Sequence, residues 1–429
     1  MTTMTTRRRR SPSGLWRRFR GATLVAAGMA VMNVGGYAFT LIAVHRVAPA
    51  DFGALTALIG LILIGNVAAL GLQATGARRI ATHDAADPSG HDVLAASLLR
   101  AGEYTSAALA ALSLLLTPLM MWMLHIDSVV SVLLVAPSLG LLTLMGAQAG
   151  VLQGGKHWRE LAIVYASFGI GRFVFAFVGL AISQDLLGAM LGFTMSTAVP
   201  VVLAGWMLRG GRRGSTAEVR RVLTETVHGT HVLLAFFAVA NADVLLARTM
   251  LDEHYSGIYA AGVIVAKACL FVPQFVSVVV FPSLATNPGD TRRLRQAVIA
   301  VAGFGVCAVA AAALLPDLVV AVAGGNDYAE IGPIAWMFAA AGSAYAVLQL
   351  VVYAAIAQQE RRAAPVIWAG LALFVTVALL VLGRDVFTGI AGVKFLVACA
   401  AATSILLSIL LAAGLRRQVS TEARTPTPA

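Results

Sequence analysis

The sequence predicts an all-α, polytopic membrane protein with about twelve transmembrane helices in two halves of six. Composition is the first observation: 59% of the 429 residues are hydrophobic, only 12% are charged, and the mean hydropathy is +0.84. Soluble domains carry about twice that share of charged residues. The other two observations are a series of apolar windows of membrane-spanning length and a long polar break near the middle of the chain.

The apolar windows define the individual helices. A hydrocarbon core about 30 Å thick is spanned by roughly 20 apolar helical residues. Windows of this length, separated by short polar breaks, are predicted near residues 22–44, 53–75, 104–124, 129–152, 160–182, 186–208, 228–250, 256–283, 296–322, 332–357, 363–383 and 388–414. The first window is too long for the apolar core of a signal peptide and has no convincing cleavage site after it, so we interpret it as a retained helix.

The positive charges predict the orientation of these helices. Most of the 31 basic residues lie at the termini and in the breaks after the even-numbered windows, as do Arg78 and Arg79. Because cytoplasmic loops carry an excess of Lys and Arg, we expect both termini on the cytoplasmic side of a bacterial plasma membrane. The net charge of +11 then reflects topology rather than nucleic-acid binding. The basic segment 1–21 is expected to contact anionic lipid headgroups.

Cofactor sites and catalytic sites have no support in the sequence. Cys269, Cys307 and Cys399 all fall inside predicted helices, and their spacing matches neither a metal site nor a disulfide framework. No Gly-rich loop with a Lys-Ser/Thr pair for ATP phosphates is present. The predicted outer loops are too short to hold a catalytic domain. We therefore expect neither a cofactor nor an enzyme.

The longest polar break separates two halves that echo each other. In the first half a helix that ends at Arg46 is followed by Phe52-Gly53, and in the second a helix that ends at Arg248 is followed by Ser256-Gly257. Internal repeats build many transporters and place the substrate site between the repeats. Chance resemblance between apolar helices is the alternative. The predicted divisions are a basic N-terminus at 1–21, helices one to six at 22–208, a cytoplasmic linker at 209–227, helices seven to twelve at 228–414 and a cytoplasmic tail at 415–429.

Four stretches of the sequence resemble polysaccharide-export flippases. They are NVGGYAFTLIAVHRVAPADFGALTALIGLILIGNVAALGLQATGARRIA from Asn33, AQAGVLQGGKHWRELA from Ala147, NADVLLARTMLDEHYSGIYAAGVIVAK from Asn241 and VVFPSLA from Val279. These flippases are members of the multidrug/oligosaccharidyl-lipid/polysaccharide exporter superfamily. The resemblance implies two pseudo-symmetric six-helix lobes around a central cavity that opens alternately to each side. It also implies a polyprenyl-diphosphate-linked sugar as the substrate.

Three basic residues inside the predicted helices are candidates for the cavity. A cation at the centre of a membrane helix costs about 2.5 to 3.5 kcal/mol on insertion scales, so it is rarely left facing lipid. Arg172, Lys267 and Lys394 lie in such positions, and the chain contains only one other lysine. An ammonium is a compact charge that suits a moving phosphate. We therefore predict that these three cations bind the anionic part of the substrate.

Each of these cations also has a structural alternative. Lys267 shares a helix face with Gln274, but it could instead pair with Asp243 on the neighbouring helix, which would make Asp243 a gating or ion-coupling residue. Arg172 could bind carbonyl oxygens at a helix end. Lys394 lies near the outer surface and could extend its ammonium to the membrane interface.

Uncharged polar side chains form a second, weaker set of cavity candidates. Several recur at helical spacing, which suits a wall that hydrogen-bonds sugar hydroxyls. Polar groups equally tie membrane helices together, for about 0.6 kcal/mol each, and the sequence does not separate these roles. The candidates are Asn33, Tyr37, Gln73, Asn241, Gln274, Tyr345 and Gln349.

The sequence thus favours a flippase for a polyprenyl-linked oligosaccharide or cell-envelope glycan precursor. A cation-coupled multidrug exporter of the same superfamily is the first alternative, although it should line the lobes with acidic residues. Asp243 is the only carboxylate deep inside a predicted window. The second alternative is a non-transporting scaffold that organises glycan-synthesis enzymes, which would leave Arg172 and Lys267 without a role.

Overall fold

The computed structural model describes residues 12–83, 88–209, 214–270, 291–358, 360, 362–384 and 386–422, and every regular element in these ranges is helical. The elements are α1 (Pro12–Val44), α2 (Pro49–Gly65), α3 (Val67–Thr82), α4 (Pro88–Leu115), α5 (Thr117–Leu124), α6 (Val129–Leu133), α7 (Val135–Gly154), α8 (Trp158–Ile182), α9 (Leu186–Met207), α10 (Thr216–Met250), α11 (Glu253–Ala268), α12 (Thr291–Leu314), α13 (Pro316–Val322), a 3-10 helix (Gly325–Ile334), α14 (Ala335–Ala357), α15 (Ala363–Leu382) and α16 (Gly389–Glu422).

The predicted all-α, multi-pass membrane fold is confirmed. Within the described ranges, ten helices are long and apolar enough to cross a membrane, and α4 with α5 makes an eleventh if the bent pair counts as one span. The eighth predicted window, 256–283, enters the structure as α11. From residue 271 onward that window, including Gln274, lies outside the described residues.

Several predicted windows are interrupted or displaced. The second is broken at Asn66, and the third bends by 53° between Leu115 and Thr117. The ninth ends its long helix at Leu314. Proline stands at the start of the short helices that follow the last two breaks, where its missing N–H is not needed.

The third window also begins earlier than the sequence predicts. α4 starts at Pro88, and the candidate span formed by α4 and α5 runs from Gly90, so it includes Glu103. Glu103 is thus a carboxylate that the predicted window 104–124 left out. The predicted window begins at residue 104, directly after Glu103, because the acidic side chain interrupts the apolar run there.

The order of helix packing repeats between the two halves. In the first half α4 packs on α7 and α1 packs on α8; in the second, the corresponding pairs are α12 on α14 and α10 on α15. The contacts of α3 with α7 and of α7 with α9 likewise correspond to those of α11 with α14 and of α14 with α16. We refer to α1–α9 as the N-lobe and to α10–α16, with the 3-10 helix, as the C-lobe.

The two lobes meet where α2 crosses α10 and α11. The repeated Phe-Gly and Ser-Gly motifs lie at this crossing and face each other. A Cβ atom on Gly53 would lie 2.7 Å from the hydroxyl of Ser256, and one on Gly257 would overlap the carbonyl oxygen of Pro49. The lobes approach this closely because neither glycine carries a side chain. Equivalent positions of the two halves therefore touch at the lobe interface.

Candidate functional site

Lys267 projects from the C-lobe into a small cavity formed by the N-lobe. The cavity measures about 30 Å³, which holds roughly one or two water molecules. Besides Lys267, it is lined by Phe39 and Thr40 of α1 and by Phe52, Leu55, Thr56 and Ile59 of α2. Among the described residues, no carboxylate oxygen lies within 4.0 Å of the Lys267 ammonium. This cation therefore lies between the lobes without a direct ionic partner in that part of the chain.

Asp243 is buried on the neighbouring helix α10 and is held by other groups. Its side chain is 6% exposed. The hydroxyl of Tyr259 donates to its Oδ2 at 3.0 Å, and the N–H of Val244 donates to its Oδ1 at 2.9 Å. The direct ion pair between Asp243 and Lys267 that the sequence suggested is not formed. The two charges attract each other only at longer range.

The hairpin geometry explains the missing ion pair. In the antiparallel hairpin of α10 and α11, Tyr259 is the residue that lies level with Asp243. Lys267 follows Tyr259 by eight residues, which is about 12 Å along the helix axis. The phenol therefore reaches the carboxylate first, and the ammonium is left to face the N-lobe.

Arg172 is the buried cation of the N-lobe, on α8. Its guanidinium stacks on two aromatic rings, at 4.4 Å from the centroid of Phe168 and 4.9 Å from that of Phe193. Such stacking stabilises a desolvated cation by about 2 kcal/mol. The Nε atom is buried and has no hydrogen-bond partner among the described residues, while Nη1 lies over Gly36 of α1, where a Cβ would come within 2.8 Å of it. The aromatic faces hold this charge without neutralising it.

The two cations belong to one electrostatic group that spans the lobes. Phe193, which contacts Arg172, meets Phe39 edge to face at 5.8 Å between ring centroids. Phe39 in turn lines the Lys267 cavity. The like charges of Arg172 and Lys267 repel each other. An anion between the lobes would relieve that repulsion, so the arrangement can bind a phosphate or another anionic group.

Most of the predicted uncharged candidates make contacts within their own lobe. Gln73 donates to Gln153 Oε1 at 2.9 Å and to the hydroxyl of Tyr165 at 2.7 Å, which ties α3 to α7 and α8. Gln349 donates to the hydroxyl of Tyr353 on its own helix. These two glutamines therefore act as links within and between helices in this conformation.

Two other candidates lie closer to the lobe interface. Asn241 is 4% exposed, donates to the carbonyl of Phe237, and faces Gly60 of α2. Tyr345 is buried, and its hydroxyl lies close to the side chains of Asp243 and Ser404. Both stand near the group formed by Asp243 and Tyr259.

The remaining candidates fall in two places. Asn33 and Tyr37 are half-buried and engaged in contacts on α1, the helix whose Gly36 meets Arg172 and whose Phe39 and Thr40 line the Lys267 cavity. Lys394 is exposed on α16, five residues after the start of that helix. The structure does not bring Lys394 into the group formed by Arg172 and Lys267.

Sequence analysis missed a residue that joins the lobes at one end of the molecule. Arg248 is 5% exposed. It donates to the carbonyl oxygens of Leu124 at 2.8 Å, His125 at 2.9 Å and Ala50 at 3.2 Å in the N-lobe. It also donates to the Ser256 hydroxyl at 3.2 Å and to Glu253 at 3.5 Å in the C-lobe. The sequence signal that could have found it is its position inside the apolar window 228–250.

The opposite end is joined by ion pairs between α3 and the start of α10. Arg78 lies 2.9 Å from Glu225, and Arg79 lies 2.9 Å from Glu218 and 3.5 Å from Glu225. The two glutamates are about one third exposed. We call this the basic end of the molecule and the other the Arg248 end.

No protein-family model and no curated protein matches the chain. Solved structures do match. An inward-facing multidrug resistance MATE family transporter of the MOP superfamily is similar with a TM-score of 0.74, at 10% identity over 95% of this chain and 100% of that chain. Lipid II flippase MurJ, in an inward closed conformation, is similar with a TM-score of 0.70, at 11% identity over 95% and 94%.

A third solved structure is the MATE multidrug transporter DinF-BH. It has a TM-score of 0.65, at 14% identity over 91% of this chain and 94% of that chain. At such identities the likeness establishes the architecture alone. The chain therefore has the fold that MATE multidrug transporters and the lipid II flippase share.

Proposed function

We propose that this protein is an alternating-access flippase for a polyprenyl-(di)phosphate-linked oligosaccharide or cell-envelope glycan precursor. It moves this lipid from the cytoplasmic to the outer leaflet of a bacterial plasma membrane. The basic end and both termini face the cytoplasm, as the distribution of Lys and Arg predicts. The substrate phosphates bind between the lobes, at Arg172 and Lys267.

The charge of the lobe interface carries this proposal. A lipid-linked sugar must take an anionic diphosphate through a layer that does not solvate it, so a path for it needs positive charge. Arg172 and Lys267 come from different lobes, repel each other, and have no carboxylate within 4.0 Å in the described parts of the chain. A phosphate would accept hydrogen bonds from both, including one from the partnerless Nε of Arg172.

Two further observations support the proposal. One solved structure with this fold is named as a lipid II flippase, so the architecture is compatible with moving a lipid-linked glycan. The cavity at Lys267 is far too small for a diphosphate in this conformation, which fits a transporter whose lobes must separate to admit substrate.

A cation-coupled multidrug exporter is the second candidate. It draws support from the MATE structures and from buried Asp243, whose carboxylate could exchange a proton or a sodium ion. However, the Tyr259 hydroxyl and a backbone N–H already occupy this carboxylate. A cationic drug at the lobe interface would also meet two positive charges.

The test is mass spectrometry of polyprenyl-linked sugars extracted from cells depleted of the protein. We expect one lipid-linked glycan to accumulate and wild type to clear it. Lys267→Ala should clear it about 10 to 100 times more slowly, since a charge-assisted hydrogen bond contributes about 1.5 to 3 kcal/mol. Arg172→Ala should behave in the same way.

Lys394→Ala is the matched control, because it removes an intramembrane cation that is exposed and lies outside the central group. It should clear the glycan as wild type does, with equal amounts of each variant in the membrane. If no lipid-linked glycan accumulates on depletion, the flippase proposal is wrong. Sensitivity of the depleted cells to cationic drugs would then support the exporter.

A further inference from the structure

A second cavity lies within the N-lobe, apart from the lobe interface. Its volume is about 200 Å³. It is lined by residues of α4, α7 and α9 and by the residue that follows α9. The lining residues are Leu99 and Glu103 of α4, Leu144, Ala147 and Gln148 of α7, Gly205 of α9, and Leu208. The proposed transport function assigns no role to this cavity.

Glu103 contributes a carboxylate to this cavity. It lies on α4 and is exposed. In the described parts of the chain, no Lys, Arg or His nitrogen lies within 4.0 Å of it, although Arg100 stands one turn earlier on the same helix. Its negative charge is therefore free, among the described residues, to attract a cationic group.

Gln148 provides an independent observation in the same cavity. Its side chain is 9% exposed. Its Nε2 donates to the carbonyl oxygen of Val201 at 3.2 Å, which fixes the amide. Its Oε1 is buried, and no described residue donates a hydrogen bond to it. A buried acceptor without a donor costs about 1 to 3 kcal/mol, so a ligand that donates hydrogen bonds would remove this cost.

The flanking aromatic residues place the cavity at the level of the lipid headgroups. Tyr104 and Trp206 follow Glu103 and Gly205 directly, and their side chains are 59% and 64% exposed. Exposed Tyr and Trp concentrate where headgroups meet acyl chains. The end of α9 at Met207 marks the same level. The cavity therefore opens toward the boundary between headgroups and acyl chains.

We propose that this cavity binds the ammonium headgroup of a zwitterionic phospholipid, of the phosphatidylethanolamine class. The Glu103 carboxylate and the Gln148 Oε1 accept hydrogen bonds from the ammonium, and the leucines of the lining contact the adjoining methylene groups. A metal ion fits less well, because only these two lining side chains offer oxygen atoms, and calcium takes six to eight.

The test uses the full chain in nanodiscs of phosphatidylethanolamine and phosphatidylglycerol at equal amounts. Native mass spectrometry then counts the lipids that stay bound after release into detergent. Wild type should retain phosphatidylethanolamine about tenfold over phosphatidylglycerol, as one charge-assisted contact allows. Glu103→Gln keeps the shape and removes the charge, so its ratio should fall close to one.

Glu160→Gln is the matched control, because Glu160 lies in the first turn of α8 and does not line the cavity. It should keep the wild-type ratio. A second probe needs no variant: phosphatidylethanolamine acylated at its amine has no ammonium, and wild type should not prefer it over phosphatidylglycerol. Equal retention of the two natural lipids by wild type, or an unchanged ratio in Glu103→Gln, would overturn the proposal.

Discussion

The two ends of the lobe interface are held by different kinds of contact. At the Arg248 end, one arginine that is only 5% exposed reaches three carbonyl oxygens of the N-lobe and two side chains of the C-lobe. At the basic end, Arg78 and Arg79 pair with Glu218 and Glu225, whose side chains keep about a third of their exposure. The polar contact at the Arg248 end is shielded from solvent, whereas the ion pairs at the basic end are partly exposed, beside the buried apolar contact of Val219 and Val222 with α3 and α4.

This difference predicts which end separates first. Partly exposed ion pairs contribute about 0 to 1 kcal/mol, because water competes with them and salt screens them. Loss of a buried, fully hydrogen-bonded cation leaves several partners unsatisfied and costs much more. The lobes should therefore stay together at the Arg248 end and open at the basic end. For a flippase, that end would admit the substrate from the cytoplasm.

Of the variants proposed here, Arg248→Ala should have the largest effect on the stability of the lobe interface. It removes the donors of the carbonyl oxygens of Leu124, His125 and Ala50 and should lower the free energy of unfolding by roughly 3 to 5 kcal/mol. Denaturant titration in mixed micelles measures this loss. In the same variant, a reporter cysteine at buried Val47 should react faster with a soluble maleimide as the Arg248 end opens.

Arg248→Lys is the control for charge. It keeps the positive charge but cannot reproduce the forked donors of a guanidinium, so we expect most of the loss to remain. If Arg248→Lys is as stable as wild type, the positive charge alone stabilises the Arg248 end. The claim that its hydrogen bonds distinguish it from the basic end is then wrong.

The sequence predicted the helices better than it predicted this contact. Apolar periodicity and length place a helix without reference to its neighbours, so the windows were found, including the one that ends at Arg248. The partners of Arg248 are carbonyl oxygens at the end of α5 and the start of α2. Backbone atoms carry no sequence signature, so only the fold brings them together.

Gly257→Ala should have the second largest effect. A Cβ at this position would overlap the carbonyl oxygen of Pro49, and a backbone atom cannot move aside as a side chain can. Overpacking of this kind costs about 1 to 3 kcal/mol. Because the clash lies between the lobes, Val47→Cys should also label faster in this variant. The same titration and labelling assays measure both effects.

Gly303→Ala is the matched control, since a Cβ there would meet nothing within 4 Å. In the interior of α12 it should raise stability by about 0.5 to 1 kcal/mol, as alanine is the better helix former. If both alanine variants are equally stable, the close approach of the lobes at Gly257 does not exist in solution.

The central site shows the same division between what sequence reveals and what it does not. Arg172 and Lys267 stood out because charge inside an apolar window is visible in the sequence. The rings of Phe168 and Phe193, which hold Arg172, looked like ordinary apolar residues. The sequence offered Asp243 as an alternative partner of Lys267 because the two helices are neighbours, whereas Tyr259 is the residue that lies level with Asp243 in the hairpin. The register of α11 against α10 therefore determines which side chain contacts Asp243.

Arg79→Ala should have the smallest effect, and it tests the other side of the comparison. It removes both ion pairs that Arg79 makes with Glu218 and Glu225, yet we expect a loss of no more than about 1 kcal/mol. That loss should fade between low salt and 1 M NaCl, where the Debye length falls to about 3 Å. The loss in Arg248→Ala should not change with salt, because its contacts are buried hydrogen bonds. If Arg79→Ala and Arg248→Ala lose the same free energy of unfolding, or depend on salt in the same way, the two ends stabilise the lobe interface equally. The prediction that the basic end opens first is then wrong.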